Sequence, residues 1–138
     1  PDGADITLDE TSKVVTLVYD AELSDWLVVS GHRYNGVNAL GDLGGGTDDI
    51  NLNNGRTVTA TVSTSTQTFT FSNPLSDSDA FDLYLTNGGS QTVNWPASVD
   101  WAGGTAPTLT TSGVDHLVFT TPNGGTTWYG YVAGLDMS

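Results

Sequence analysis

Strand-like runs recur along the chain about every 8–12 residues, with turn-forming residues between them. The clearest runs, at residues 57–62, 67–71 and 81–85, alternate apolar and polar side chains. This period of two is typical of strands with one buried face, and no window carries a useful helical period of 3.6 residues. The pattern predicts an all-β protein, specifically an antiparallel β-sandwich of the jelly-roll type with minimal helix.

Two hairpins are predicted, from residues 14–19 with 26–29 and from residues 114–119 with 127–132. They belong to an internal repeat, in which Trp26 and Trp128 are predicted to be buried, each against its own repeat's Leu-Val pair. An isolated hairpin is marginally stable, so the first thirty residues either join the main sheet or complete a domain whose earlier part is missing. The repeat matches Thr11, Ser12, Val14, Leu17, Val18 and Tyr19 to Thr111, Ser112, Val114, Leu117, Val118 and Phe119.

Glycines interrupt residues 31–49, where few apolar residues recur regularly. Such a stretch is typical of a linker. The predicted organisation is therefore an N-terminal β-hairpin segment (1–31), a Gly-rich linker (32–46) and a β-sandwich (47–138). An ordered loop within one domain is the alternative interpretation of the glycines. Since Pro1 opens no signal peptide, we expect either a removed initiator Met or a fragment of a longer chain.

The charge balance limits the classes of molecule that the chain can bind. Three basic residues face sixteen acidic ones, for a formal net charge of −13. Phosphate backbones are bound by clustered Lys and Arg, so nucleic acid and anionic membranes are poor partners. No apolar run approaches the roughly 20 residues that span a bilayer, so no membrane insertion is expected.

Catalytic motifs are scarce. His32 lies in the Gly-rich stretch. His116 lies in a strand that is predicted to be largely buried, and its side chain is predicted to be partly buried, hydrogen-bonded and structural. No nucleophile elbow, Walker motif or zinc-protease motif frames these residues. The acidic residues fall in short groups near turns, as solvated loop residues do, rather than as an evident catalytic pair. The chain is predicted not to be an enzyme.

The acidic groups suit calcium better than catalysis, because calcium takes oxygen ligands from Asp clusters and loop carbonyls. The candidate metal ligands are Asp48, Asp49, Asp77 and Asp79. None of the groups fits an EF-hand loop, so no cofactor is predicted, and calcium is the cation these residues would suit.

Trp95 and Trp101 flank an irregular segment in which strand pairing must pause. Exposed aromatic rings there would stack on sugars, which makes both tryptophans candidate ligand-binding residues. The alternative, which we favour, is that the two rings plug one end of the sandwich.

Four ordered segments resemble a β-rich module found near the C-termini of tailed-bacteriophage virion proteins, such as tail fibres and minor structural proteins. The resemblance covers about residues 47–134, and residues 49–55 look like the module's opening strand and turn. It carries no catalytic residues. The four segments are TFTFSNP at 68–74, LTNGGSQTVNWPASV at 85–99, WAGGTAPTL at 101–109 and GGTTWYG at 124–130.

The resemblance implies a non-enzymatic virion structural protein, namely a fibre, tip or capsid-decoration domain on the particle surface. Its expected partners are other virion proteins and a host-surface glycan, and its expected state is a homo-trimer. A carbohydrate-binding module that recognises host glycans through Trp95 and Trp101 is the alternative function. A glycan-cleaving enzyme fragment is a distant third.

Overall fold

A computed structural model describes the backbone of residues 15–20 and 25–31 and the whole of residues 36–138. The chain divides into two compact units, Pro1–Tyr34 and Asn35–Ser138. In the first unit, β1 (Val15–Asp20) and β2 (Asp25–Gly31) pair as an antiparallel hairpin, as predicted. The predicted burial of Trp26 concerns a side chain outside the described part of the structure.

The second unit confirms the all-β prediction. Each of its elements longer than three residues is a strand, and three single 3-10 turns at Leu52–Asn54, Gly88–Ser90 and Ala102–Gly104 supply its helical content. The strands are β3 (Val37–Leu43), β4 (Gly46–Asn51), β5 (Thr57–Val62), β6 (Gln67–Ser72), β7 (Asp79–Thr86), β8 (Val93–Asn94), β9 (Val99–Trp101), β10 (Val114–Thr121) and β11 (Trp128–Gly134). None of the helical segments in this range is long and apolar enough to cross a membrane.

The strands form a six-stranded sheet in the order β3-β5-β7-β10-β11-β9 and a three-stranded sheet in the order β4-β6-β8. The prediction of antiparallel pairing throughout is wrong. In the second unit, β3 with β5, β5 with β7, β4 with β6, β6 with β8 and β9 with β11 are all parallel pairs. β10 pairs antiparallel with both β7 and β11.

Parallel pairing arises because the chain alternates between the two sheets from β3 to β8. The chain therefore forms three successive pairs of strands, β3–β4, β5–β6 and β7–β8, and each pair has one strand in each sheet. The short connections turn corners between sheets and do not close hairpins within one sheet. The β10–β11 hairpin then extends the larger sheet beyond β7.

Much of the predicted Gly-rich linker is part of this fold. Residues 37–43 form β3, and Leu43 lies in the core at 3% exposure. Gly44 and Gly45 form the corner into β4, where Gly45 has φ +86 and a Cβ would collide with the Ser65 side chain. The linker prediction is therefore wrong for residues 37–46, while residues 32–35 lie outside the described residues.

The core lies between the inward faces of both sheets. Phe71 of β6 joins the sheets, because its ring contacts Phe81, Phe119 and Trp128 of the larger sheet at centroid distances of 4.9, 5.1 and 5.5 Å. Such aromatic pairs add to the stabilisation that burial itself gives. The buried apolar residues are Leu43, Ile50, Leu52, Val58, Ala60, Val62, Phe69, Phe81, Leu83, Leu85, Leu117, Phe119 and Trp128.

Candidate binding surface

The structure places Trp95 and Trp101 together at the border of the core, both half-buried. Their ring centroids lie 5.4 Å apart. Trp95 stacks on Phe69 at 5.5 Å, and both tryptophans contact Phe119, at 5.3 and 5.5 Å. Trp95 therefore contacts two core rings and Trp101 contacts one, so the geometry favours the plug interpretation over a sugar platform.

The Trp101 ring packs against Gly130 in β11. A Cβ added to Gly130 would lie 2.6 Å from the Trp101 ring, well inside van der Waals contact. The absence of a side chain at Gly130 therefore lets the indole lie flat against the strand.

A methyl group at Gly130 is expected to displace the Trp101 ring. Gly130→Ala should lower the free energy of unfolding by about 1–3 kcal/mol, the usual range for overpacking. In a Trp101→Ala background, the same substitution should have a smaller effect, because the two residues are in contact. Chemical denaturation checks this, with Gly44→Ala as the control, since a Cβ at Gly44 meets nothing within 4 Å. An equal loss of unfolding free energy in both glycine variants would contradict the packing of Trp101 against Gly130.

The candidate metal ligands Asp48 and Asp49 lie side by side on β4. Asp48 Oδ2 accepts a hydrogen bond from Nε2 of the buried Gln67 at 2.9 Å. Asp49 instead accepts from Thr70 Oγ1 at 2.8 Å and from Ser72 Oγ at 2.5 Å. Successive strand residues point to opposite faces, so the two carboxylates do not converge on one ion.

Asp79 begins β7 and is engaged by Arg56. The guanidinium donates from Nε and Nη2 to the two carboxylate oxygens at 2.6 and 2.8 Å, a bidentate geometry. The backbone N–H groups of Leu75 and Ala80 also donate to Asp79. Burial opposes ionisation of this carboxyl, but these donors outweigh it and lower its pKa.

Asp77 does not join Asp79 around a common centre: its side chain is exposed, and its backbone oxygen accepts from Gly124 N at 2.8 Å. Within residues 36–138, no three His, Asp or Glu side chains are grouped as a metal ion would require. The structure therefore does not bring the four predicted ligands together.

One buried carboxylate escaped the sequence interpretation. Asp115 has no exposed surface, and it accepts hydrogen bonds from Thr110 N and Oγ1 and from Asp136 N, at 2.7, 2.6 and 3.2 Å. It thereby fastens the segment before β10 and the segment after β11 to the strand. Satisfied in this way, a buried carboxylate is structural and needs no ligand.

The outward side of the larger sheet carries a group of polar and aromatic residues. The Tyr84 and His116 rings stack at 4.3 Å with an interplanar angle of 13°. His116 Nε2 lies 2.7 Å from Asp82 Oδ1, and the side chains of His116 and Asp82 are 19% and 45% exposed. His116 is thus half-buried and hydrogen-bonded, close to the prediction made for it. Its orientation is fixed by the carboxylate and the tyrosine.

Strand register extends this group across β10 and β11. Val118 pairs with Asp82 on one side and with Tyr131 on the other, so the three share one face of the sheet. Tyr131 is 52% exposed. We call Asp82, Tyr84, His116, Val118 and Tyr131 the outer face.

A shallow depression of about 610 Å³ adjoins the outer face. Its lining includes Ala80, Thr120 and Tyr129, which are paired across β7, β10 and β11 one row from Asp82, Val118 and Tyr131. Arg56 and Thr121 contribute polar groups. The outer face therefore continues into a recess whose lining includes the Arg56 side chain.

Apart from His116, the residues of the outer face and the recess were missed in the sequence because they do not form a motif. They are the outward positions of three strands, and only the register of β7, β10 and β11 places them in adjacent rows. A signal was present: the alternation in residues 81–85 leaves Asp82 and Tyr84 facing outward.

No known family model, curated protein or solved structure matches this chain.

Proposed function

We propose that this chain is a non-enzymatic structural protein of a tailed-bacteriophage virion, a fibre, tip or capsid-decoration domain that acts through surface binding and assembly. The segments at 68–74, 85–99, 101–109 and 124–130 support this proposal by their resemblance to such modules. In this proposal the protein sits at the surface of the particle, where other virion proteins are its neighbours.

The observation that carries the binding role is the outer face. It presents an exposed tyrosine, Tyr131, beside the fixed Tyr84–His116–Asp82 group. Tyrosine is enriched at the centres of protein interfaces, where a large rigid ring is buried at a small loss of conformational entropy. Val118 supplies an apolar centre between the polar groups.

The proposed assembly is a homo-trimer with the outer face in contact with neighbouring copies. Repulsion between chains of net charge −13 opposes association. Added salt screens this repulsion, whereas an apolar and aromatic contact persists in salt. Association is therefore expected to strengthen as the salt concentration rises.

Tyr131→Ala is expected to weaken trimer formation about 10-fold or more, the scale of an aromatic hot spot. Light scattering over a range of protein and salt concentrations measures this effect. The control is Val37→Ala, a truncation of a 55% exposed residue on β3, which should leave association unchanged. A monomer under every condition would contradict the trimer.

The alternative function is a carbohydrate-binding module for host-surface glycans, and the outer face is the surface on which that function would rest. A tyrosine ring offers a stacking surface, while Asp82 and His116 offer hydrogen bonds in fixed directions. On a glycan array, Tyr131→Ala should then abolish binding by a folded monomer. If folded Trp101→Ala loses glycan binding and Tyr131→Ala keeps it, the glycan-binding site lies at Trp95 and Trp101 and not on the outer face.

A further inference from the structure

The two hairpins of the chain share a backbone irregularity as well as a sequence pattern. The register of β1 with β2 shifts between Thr16 and Leu17, and that of β10 with β11 shifts between His116 and Leu117. These are the same positions of the internal repeat, one hundred residues apart. A bulge at a defined position is not a general property of hairpins, so the shared bulge indicates two copies of one unit.

The residues paired beyond the bulge also correspond. Leu17 pairs with Val28 in the first hairpin, as Leu117 pairs with Val132 in the second. Two residues further along, Tyr19 takes the register position of Phe119. Leu117 and Phe119 lie in the core of the second unit. The first hairpin therefore repeats the strand face that the second hairpin buries.

The second unit shows what such a hairpin requires. β10 lies between β11 and β7, and it pairs with β7 from Val114–Thr86 to Thr121–Asp79. β1 has β2 in the position of β11, and the described part of its sheet contains no counterpart of β7. A two-stranded hairpin is marginally stable in water, and an edge strand that lacks a second partner, as β1 does among the described residues, is open to pairing.

We propose that the β1–β2 hairpin is the closing hairpin of a preceding copy of the 35–138 domain, and that the edge of β1 away from β2 pairs with the β7-type strand of that copy. The parent polypeptide then carries the domain in tandem. This inference is independent of the virion role proposed above. The partner strand is chemically defined: it alternates large apolar residues with polar ones, as Phe81, Leu83 and Leu85 alternate with Asp82 and Tyr84.

Chain order identifies the source of the partner strand. In the second unit the hairpin follows β7 and closes the domain. The first hairpin leads directly into the next unit at Asn35, so its own β7-type strand must come before it. The β7 strand of residues 79–86 is not free for this role, because β10 already occupies the edge in question.

One difference between the hairpins constrains the sequence of the preceding copy. Trp26 pairs with Tyr19, at the register position where Gly130 pairs with Phe119. Trp26 and Trp128 are thus not equivalent, although the sequence suggested it. Since a Cβ at Gly130 would meet the Trp101 ring at 2.6 Å, the preceding copy must carry a smaller residue in the position of Trp101.

A hairpin graft tests this inference. In the full chain, residues 11–30 replace residues 111–134, with and without Trp101→Gly; the control inserts the same twenty residues in reversed order. The proposal expects the Trp101→Gly graft to unfold cooperatively, with a midpoint less than about 20 °C below that of the wild type. Trp101→Gly should raise the midpoint of the graft and lower that of the wild type. A graft that behaves like the reversed control in both backgrounds overturns the proposal.

Amide hydrogen exchange tests the source of the strand. In a chain extended upstream by about 100 residues of its own gene, the domain-sized length, the amides of Val15–Asp20 should become protected at least 10-fold more than in the 138-residue chain. Protection that rises with the concentration of the 138-residue chain would mean that a neighbouring molecule supplies the strand. Either that result or no gain on extension would overturn the tandem arrangement.

Discussion

Truncation of Trp128 to alanine is expected to lower the free energy of unfolding by about 3–5 kcal/mol, the usual loss for a large buried aromatic residue. Trp128 is 2% exposed. Its ring contacts Phe71 of the opposite sheet at 5.5 Å and Phe81 of its own sheet at 5.4 Å. The cavity would therefore open where the two sheets meet, and the aromatic cluster would lose contacts on both sides.

Urea denaturation with and without the substitution measures this loss. Tyr129→Ala is the matched control, because Tyr129 is adjacent in β11 and 42% exposed; we expect it to change the free energy of unfolding by less than about 1 kcal/mol. A loss below about 1 kcal/mol for Trp128→Ala as well would place the indole at the surface and make it a candidate for ligand binding.

The burial of Trp128 was predictable from the sequence, but its partners were not. The repeat suggested contacts with Leu117, which lies in the same core as Trp128, and with Val118, but it did not suggest the ring contacts with Phe71 and Phe81. Val118 belongs to the outer face. Alternation fixes which side chains share a face of one strand, but which strand lies opposite depends on topology, which a period of two does not encode.

The same limit explains the wrong strand pairing. Short turns between alternating runs fit a hairpin within one sheet and a corner between two sheets equally well. At Gly44 and Gly45 the glycines suggested a linker, while the structure uses Gly45 to pass close to Ser65 at a corner. A positive φ and a close approach both require glycine, so composition alone did not separate an ordered corner from a flexible connection.

For the candidate site, the sequence drew attention to Trp95 and Trp101 because they lie in an irregular segment. Their size made them suited to the plug that the structure favours. The outer face is assembled from outward positions of β7, β10 and β11. Tyr84 and His116, whose rings stack, are 32 positions apart in the sequence. Only strand register relates such residues.

Asp79→Asn is expected to lower the free energy of unfolding at neutral pH by about 3 kcal/mol, because it removes the buried carboxylate charge and leaves the partly buried Arg56 guanidinium uncompensated. Asp79 accepts from two guanidinium nitrogens and two backbone N–H groups, and its side chain is 2% exposed beside an Arg56 side chain that is 23% exposed. Asp77→Asn is the control, since the Asp77 side chain is exposed. Equal stability of the two variants at pH 7 would contradict the role of the pair.

The stabilisation by Asp79 should also depend on pH in a defined direction. Burial acts to raise its pKa, but the Arg56 and backbone hydrogen bonds prevail and hold it below the ordinary value of 3.8. A lowered pKa in the folded state means that the contribution is complete above the unfolded-state value and is lost as the pH falls through the folded-state value. The difference between the wild type and Asp79→Asn should therefore be constant from pH 7 to about pH 5 and should narrow below about pH 4. Denaturation midpoints measured across this range check the prediction, and a difference that widened in acid would show that the carboxyl binds its proton more readily in the folded state than in the unfolded chain.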